Sequence, residues 1–292
     1  MIKKGIILAG GSGSRLRPST IGISKQLIPV YDKPMIFYPL STLIYSGIEE
    51  VLIISTSNYL NLFKNLLEDG SSLGIKIEYM IQDKPNGLAE AFIIGEKFID
   101  NNPCCLILGD NIFQGGNLQS FDKNDNFRLD GGAQIFAYAV SDPNRYGVIE
   151  FDNDLKAISI EEKPTFPKSS YAVTGLYLYD KDVVRYAKSL KPSIRNELEI
   201  TDLNNIYIKN NSMEVNILGE DIQWFDTGTH DSLLEASSFI KAIQKRKGKI
   251  DFCPDEISFR MGLINRKQLI KNISSYEGSE YGKYLKKLLD EH

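Results

Sequence analysis

Three glycines and three cations crowd the start of the chain, in Gly10-Gly11-Ser12-Gly13-Ser14-Arg15-Leu16-Arg17 with Lys25-Gln26 just beyond. Glycine lacks a Cβ and tolerates positive φ, so the N–H groups of Gly10, Gly11 and Gly13 can close around phosphate oxygens. Amide donors joined to Arg15, Arg17 and Lys25 suit a polyanion, and a nucleoside triphosphate is the expected one. Two known phosphate motifs are excluded. The dinucleotide fingerprint needs glycine where Leu16 stands, and the P-loop needs Gly-Lys-Ser/Thr where Gly10 is followed by Gly11. A glycine-rich turn after a first strand is also a common structural device, so the loop alone leaves both readings open.

Two aspartates sit where strands should end. Asp110 follows the apolar run Cys105–Leu108 and Gly109, and Asp226 follows Trp224-Phe225. Mg²⁺ takes one or two carboxylates plus phosphate oxygens and water, which two such aspartates meeting in space would supply. Asp-Asn and Asp-Thr-Gly are equally ordinary turn sequences. Glu162-Lys163-Pro164, taken alone, reads as a solvated strand exit.

The elements that must position these residues are legible from periodicity. Unbroken apolar strands, expected at Lys4–Ala9, Glu50–Ser55, Lys76–Ile81 and Cys105–Leu108, alternate with helices at Met35–Ser46, Leu60–Leu67 and Leu88–Ile99. That alternation is the mark of a parallel α/β sheet, in which ligands gather at the carboxyl ends of strands. Gly47 and Gly70 fall where helix C-caps are expected. From Ala133 the pattern turns strand-rich, with Ala133–Val140, Gly147–Phe151, Ala157–Ile160 and Ala172–Tyr179. A helix at Thr201–Lys209 and strands Glu214–Leu218 and Gln223–Phe225 are expected to complete the sheet. Thr229 or Asp231 should cap a helix running to about Lys245. The expected division is a domain over 1–246, with halves of about 1–130 and 131–246, followed by a packed helical extension over 247–292.

Composition narrows the function. A net charge of −4, with no basic run, argues against nucleic acid as a partner. No apolar run approaches a membrane span. Cysteines stand only at positions 104, 105 and 253, an odd count without metal-ligand spacing, which points to a reducing cytoplasm. Only His230 and His292 are present, so most histidine-based catalysis is excluded unless His230 carries it.

The string GGSGSRLRPST…SKQLIPVYDKPMIFYPLSTLI resembles the signature of the sugar-1-phosphate nucleotidylyltransferases, and is especially similar to the bacterial glucose-1-phosphate thymidylyltransferases. The likeness returns in family order at LGDNIF, RYGVIEFD, EEKP, YAVTGLYLYD, ELEITD, WFDTGTHDSLLEAS and PDEISFRMG. It implies a Rossmann-like mixed sheet flanked by helices (the nucleotide-diphospho-sugar transferase fold) with a C-terminal helical extension. It implies Mg²⁺ on Asp110 and Asp226, and dTTP and glucose 1-phosphate as substrates. The product, dTDP-glucose, would open a deoxysugar pathway in the cytoplasm, and the assembly would be a homotetramer. By the same resemblance the nucleotide is held by Leu8, Gly10, Gly11, Gly13, Ser14, Arg15, Lys25, Gln26, Gln82 and Gly87. The sugar phosphate is held by Asn111, Tyr146, Gly147, Glu162, Lys163, Val173, Tyr177 and Glu197. Arg15, Lys25 and Lys163 would carry catalysis. An amide such as Gln26 or Gln82 offers a donor and an acceptor to the O4/N3 edge of thymine, although uracil shares that edge. A UTP-using uridylyltransferase and a catalytically silent regulatory homologue are the alternatives, and a dinucleotide redox enzyme is disfavoured by Leu16.

Some positions depart from the family. Asn196 stands where Gly is usual, which is tolerable if that residue needs positive φ. Ser14 replaces a common Thr, and Asn86 replaces a frequent Asp. Gln114, Gly116 and Glu220 replace a Tyr, a His and an Arg of a second, feedback nucleotide site, so regulation is expected to be weakened or altered. Glu256, Ile257 and Arg260 still match.

Overall fold

The computed structural model of the chain describes residues 1–115, 129–154 and 156–291, so Gly116 and His292 lie outside the described residues. The apolar runs of the first half form β1 (Lys4–Leu8), a short hairpin of β2 (Pro29–Val30) and β3 (Lys33–Pro34), then β4 (Glu50–Ser55), β5 (Lys76–Ile81) and β6 (Cys104–Leu108). β1 pairs in parallel with both β4 and β6, and β4 pairs in parallel with β5. Ile6, Ile7, Leu52, Ile53, Leu106 and Ile107 are all fully buried, as strands covered on both faces must be.

The second half adds β7 (Asn111–Gly115), β8 (Ala133–Ala139), β9 (Gly147–Phe151), β10 (Ala157–Glu162), β11 (Tyr171–Tyr179), β12 (Met213–Ile217) and β13 (Ile222–Asp226). β11 joins the halves. It runs antiparallel to β6 and β8, with a register shift between Val173 and Tyr177. The result is a nine-stranded mixed sheet rather than a purely parallel one. β13 does not complete that sheet as expected. It pairs antiparallel with β7 in a separate ribbon, because Ile222 and Phe225 are buried in the apolar clusters beneath it.

Helices cover the sheet. α1 (Phe37–Tyr45) is buried almost all round, and α2 (Ser57–Leu67) buries Leu60, Phe63 and Leu67. The single helix expected over Leu88–Ile99 is broken into α3 (Glu90–Ile94) and α4 (Glu96–Ile99) at Gly95, which lies hard against Leu52 and Ile6 of the sheet. α5 (Val183–Ser189) is an element that the sequence pattern did not announce, and α6 (Ile200–Lys209) follows it. Thr229, not Asp231, caps α7 (His230–Lys247), accepting from the Ser232 N–H at 3.2 Å.

Beyond α7 come α8 (Pro254–Arg260), α9 (Arg266–Ser275) and α10 (Glu280–Glu291). They close on their own cluster of Cys253, Ile264, Leu269, Leu285, Leu288 and Leu289. Ile257 enters the main core beside Leu40 and Leu43, and Asn272 donates to the Ser72 carbonyl at 2.8 Å. These helices are therefore packed on the sheet domain and do not float from it.

Candidate active site

The glycine loop leaves β1 still tied to the sheet, with the Ala9 N–H donating to the Ile54 carbonyl at 2.8 Å. Gly11 and Gly13 take φ of +92° and +55°, the region open to glycine. The Gly13 carbonyl accepts from the Leu16 N–H at 2.9 Å and the Thr20 hydroxyl at 2.7 Å, so the loop folds into a tight turn over Ser14–Leu16. Leu16 is fully buried. It plugs the core at the position where a dinucleotide loop would need glycine.

Two cavities meet behind this loop. The smaller, about 210 Å³, is walled by Leu8, Gly10, Gly11, Lys25, Gln26, Gln82, Gly87 and Asp110. The larger, about 670 Å³, holds Ser14, Arg15, Asp110, Asn111, Tyr146, Gly147, Glu162, Lys163, Val173, Tyr177 and Asp226. Leu88, Leu108, Asp110 and Glu197 line both, so the two cavities adjoin along a shared wall. Of the residues expected in the site, Gly13 and Arg17 line neither cavity; Gly13 shapes the turn that places Ser14 and Arg15, and Arg17 lines a separate neighbouring pocket with Ser12, Thr20 and Tyr59. Gln26 is tied to the same loop. Its side-chain oxygen accepts from Ser24 Oγ at 2.7 Å and its amide reaches the Gly10 carbonyl at 3.3 Å. It braces the glycine loop through one N–H and one oxygen lone pair while it lines the smaller cavity.

The pairing of β7 with β13 is what brings the two aspartates together. Asp226 stands opposite Asn111, one residue from Asp110, and Thr227 donates to the Asp110 carbonyl through both its N–H, at 3.1 Å, and its hydroxyl, at 2.7 Å. Lys25 forms an ion pair with Asp110. Burial opposes the Asp110 charge, but the Lys25 ammonium and hydrogen bonds from Lys25 and Asn111 prevail and hold its carboxyl below the ordinary range. Asp226 goes the other way. Burial first, and then the Asp110 charge, push its carboxyl up, only partly offset by Lys25, Arg15 and Arg145. Arg15 lies beside it, since a Cβ added at Gly228 would stand 2.9 Å from Arg15 Nη2 and 3.1 Å from Asp226 Oδ1. No cluster of three or more His, Cys, Asp or Glu occurs among the described residues. The donor set is two carboxylates with a charge still to be neutralised, which fits a hard cation that also takes phosphate oxygens and water, and does not fit a closed zinc cage.

Asn111 orders this corner. It is buried, its amide donates to Asp110 Oδ1 at 3.2 Å, and its oxygen accepts from Trp224 Nε1 at 2.6 Å and the Gly175 N–H at 3.0 Å. Across the larger cavity, Glu162 is fixed by Thr201 Oγ1 at 2.6 Å and Arg195 Nη2 at 3.2 Å. Arg195 also forks onto Glu199, at 3.0 and 2.7 Å, and comes within 3.7 Å of Glu197. Lys163 has a φ of +47°, unusual for a side-chain-bearing residue, and its N–H is pinned to the Tyr146 carbonyl at 2.9 Å. That is the sort of strain that persists where a side chain must be aimed.

Residues 4–243 match the family model for nucleotidyl transferase. The chain belongs to this family, among the glucose-1-phosphate thymidylyltransferases. A protein of that description from Neisseria meningitidis is 52% identical over 98% of this chain and 99% of its own length. One from Mycolicibacterium smegmatis is 50% identical over 98% and 99%. Among solved structures, one assigned to glucose-1-phosphate thymidylyltransferase from Bacillus anthracis, bound to sucrose, is similar with 43% identity and a TM-score of 0.74, covering 81% of this chain and 94% of that one. A UDP-glucose pyrophosphorylase bound to UDP-glucose is 26% identical with a TM-score of 0.71, covering 84% and 100%.

In this nucleotidyl transferase, sequence reasoning missed Arg145, Arg195 and Trp224, all of which line the larger cavity. Each sits in a loop or a short ribbon where no periodicity marks it. The expectation for Asn196 holds, with a φ of +60°. Of the altered second-site positions, Gln114 donates to Asp251 Oδ2 at 3.3 Å while its own buried oxygen has no partner among the described residues, and the Glu256 carboxylate accepts from Arg260 at 2.6 Å. Gly116 lies outside the described residues.

Proposed function

We propose that this chain transfers a thymidylyl group from dTTP to glucose 1-phosphate, giving dTDP-glucose and pyrophosphate. The observation that carries the reading is that two cavities, one beside the glycine loop and one beside Glu162 and Lys163, share the wall containing Asp110. A nucleotide in the first and a sugar phosphate in the second would place an attacking phosphate oxygen against the α-phosphorus. That oxygen forms the new P–O bond as the bond to pyrophosphate breaks, with its electron pair leaving on the pyrophosphate oxygen. No covalent enzyme intermediate is needed, so this chain contributes positioning and charge. Arg15 and Lys25 offset the triphosphate charge, Lys163 aligns the attacking phosphate, and Glu162 accepts from sugar hydroxyls. Asp110 and Asp226 would hold Mg²⁺, which when bound neutralises charge on the α-phosphate.

Residues 1–246 carry both substrate halves in this reading. The reaction is placed in the cytoplasm, a reading that three buried free thiols support, and the homotetramer implied by resemblance is checked by light scattering. No helix among the described residues is long and apolar enough to cross a membrane. The deciding assay is pyrophosphate release from glucose 1-phosphate with dTTP, UTP and other triphosphates in turn. Fastest release with dTTP is expected. Preference for UTP would replace the reading with a uridylyltransferase, and no release from any pair would overturn it.

Two expectations follow from the same site. Asp226 must be ionised to bind a cation, and burial with the Asp110 charge raises its carboxyl. The acid limb of kcat/KM therefore lies above the ~3.9 of an ordinary aspartate, and moves down as Mg²⁺ is raised. For stability the sign is opposite to a paired carboxylate. The native state holds this proton more tightly than the unfolded chain, so the contribution of Asp226 declines as pH rises through that window. A limb at or below the ordinary aspartate value would refute the assignment. Feedback inhibition is also expected to be weak, and inhibition by dTDP-rhamnose at micromolar concentration would count against that.

A further inference from the structure

The base end of the smaller cavity is built from Gln82, and what its amide can offer a base is decided outside the cavity. Gln82 Nε2 donates to the Gly87 carbonyl at 3.1 Å and to Glu90 Oε2 at 2.8 Å. Both of its N–H bonds are thereby spent. The other Glu90 oxygen accepts from Asn86 Nδ2 at 2.8 Å. Gln82 Oε1 is turned toward the glycine loop, 3.4 Å from where a Cβ at Gly10 would stand. The cavity thus meets a carbonyl oxygen and not an amide donor.

We propose that Glu90 is a positioning residue for nucleobase selection: it fixes the polarity of the Gln82 amide so that the site accepts an imide N3–H and rejects cytosine. The inference rests on the nucleotide-binding reading above and adds the residue that enforces it. Thymine and uracil carry a proton on N3, flanked by two carbonyl oxygens. Cytosine carries a lone pair at N3 and an amino group at C4. An inverted Gln82 would donate to cytosine N3. Inversion would turn Oε1 toward Glu90 Oε2 and the Gly87 carbonyl, three acceptors with no hydrogen among them. A carboxylate cannot supply one, because it accepts only. Leaving such groups unpaired is the kind of penalty that sets large selectivity ratios in enzymes.

The lock depends on one acceptor-only group in a row of three side chains. With Glu90→Gln, positions 82, 86 and 90 all carry amides, and the three can invert together with their side-chain hydrogen bonds kept, so that only the Gly87 carbonyl still opposes inversion. Polarity is then specified by that one carbonyl instead of by two acceptors. Placing the carboxylate at the other end restores the second. In the double variant Asn86→Asp/Glu90→Gln, the carboxylate at position 86 can only accept from the amide at position 90. The oxygen of that amide is then left to accept from Gln82, as Glu90 does now. The lock says nothing about the 5-methyl group, so it separates dTTP from dCTP and not dTTP from UTP.

The test compares kcat/KM and equilibrium binding for dTTP and dCTP in the native chain, E90Q and N86D/E90Q. E90Q should raise the dCTP/dTTP ratio about 10-fold, mainly through KM, and the double variant should return it to within about 3-fold of native. An unchanged ratio in E90Q overturns the proposal. So does an equal loss for both nucleotides, or a double variant that behaves like the single one, because either would mean that Glu90 only supports the fold. Binding is read alongside turnover so that the two claims fail separately. A native chain that binds dTTP over dCTP yet makes no sugar nucleotide refutes the transferase reading and leaves the lock standing. One that turns over but binds both alike refutes the lock alone.

Discussion

Asp226→Ala lowers turnover at least ~100-fold while leaving the folded state no less stable. The loss is the scale of removing one group that stabilises charge at a reacting centre. The stability half follows from the electrostatics. The Asp226 carboxylate is largely buried and lies in the field of Asp110, an arrangement whose burden exceeds the help it gets from Lys25, Arg15 and Arg145. Deleting it relieves that repulsion. Its backbone remains paired with Asn111 across the β7–β13 ribbon, so the fold loses no ladder bond. Arg15→Ala should cost a similar factor, because its guanidinium lies beside the same carboxylate. The double variant should fall short of the product of the two, since groups acting on one charge distribution are not additive. Turnover and thermal melting of the three variants decide it. Near-normal turnover in either single variant removes that residue from the mechanism, and a large fall in Tm for Asp226→Ala would make its role structural.

Why Asp226 could be named from the sequence, but its meeting with Asp110 could not, is a matter of range. An apolar stretch that ends in an aspartate, as Leu108-Gly109-Asp110 and Trp224-Phe225-Asp226 do, marks a strand end locally, and β1, β4 and β6 are visible as unbroken apolar runs because both of their faces are covered. Nothing local reports that β13 leaves the main sheet and pairs with β7. That choice is made by Ile222 and Phe225, whose burial depends on surfaces far away in sequence. Polar loop residues are worse served. Arg195 anchors Glu162 and Glu199 from a segment with no periodicity at all, and its neighbour Ile194 is fully exposed. Gln26 is hard to read for a subtler reason. Its residue type fits base recognition, but Ser24, two positions earlier, captures its oxygen, a local side-chain bond that competes with any ligand. Glu90 opens a helix in a half-exposed position and carries no signal until its two amide partners are seen.

The same base segment makes Gly87→Ala the substitution with the largest expected effect on nucleotide binding. Gly87 has a φ of +106°, and an added Cβ would stand 2.5 Å from the Leu198 backbone nitrogen and nearer still to its carbonyl oxygen. Neither atom is the end of a flexible side chain. Two backbone bonds hold the segments together there, from the Leu198 N–H to the Asn86 carbonyl at 2.6 Å and from the Ala89 N–H to the Leu198 carbonyl at 3.2 Å. The methyl must push the segments apart, and Gln82, which donates to the Gly87 carbonyl, moves with them. Positive-φ strain of ~1–3 kcal/mol and overpacking of ~1–3 kcal/mol both apply. Gly11→Ala is the control. Its φ is +92°, but among the described residues nothing lies within 4 Å of an added Cβ, so it bears the strain without the collision. With two penalties of similar size against one, Gly87→Ala should lose about twice as much unfolding free energy as Gly11→Ala in urea, and raise KM for dTTP at least ~10-fold. Equal losses in the two variants would mean that the 86–90 segment is free to retreat, and that its contact with Leu198 does not shape the base pocket.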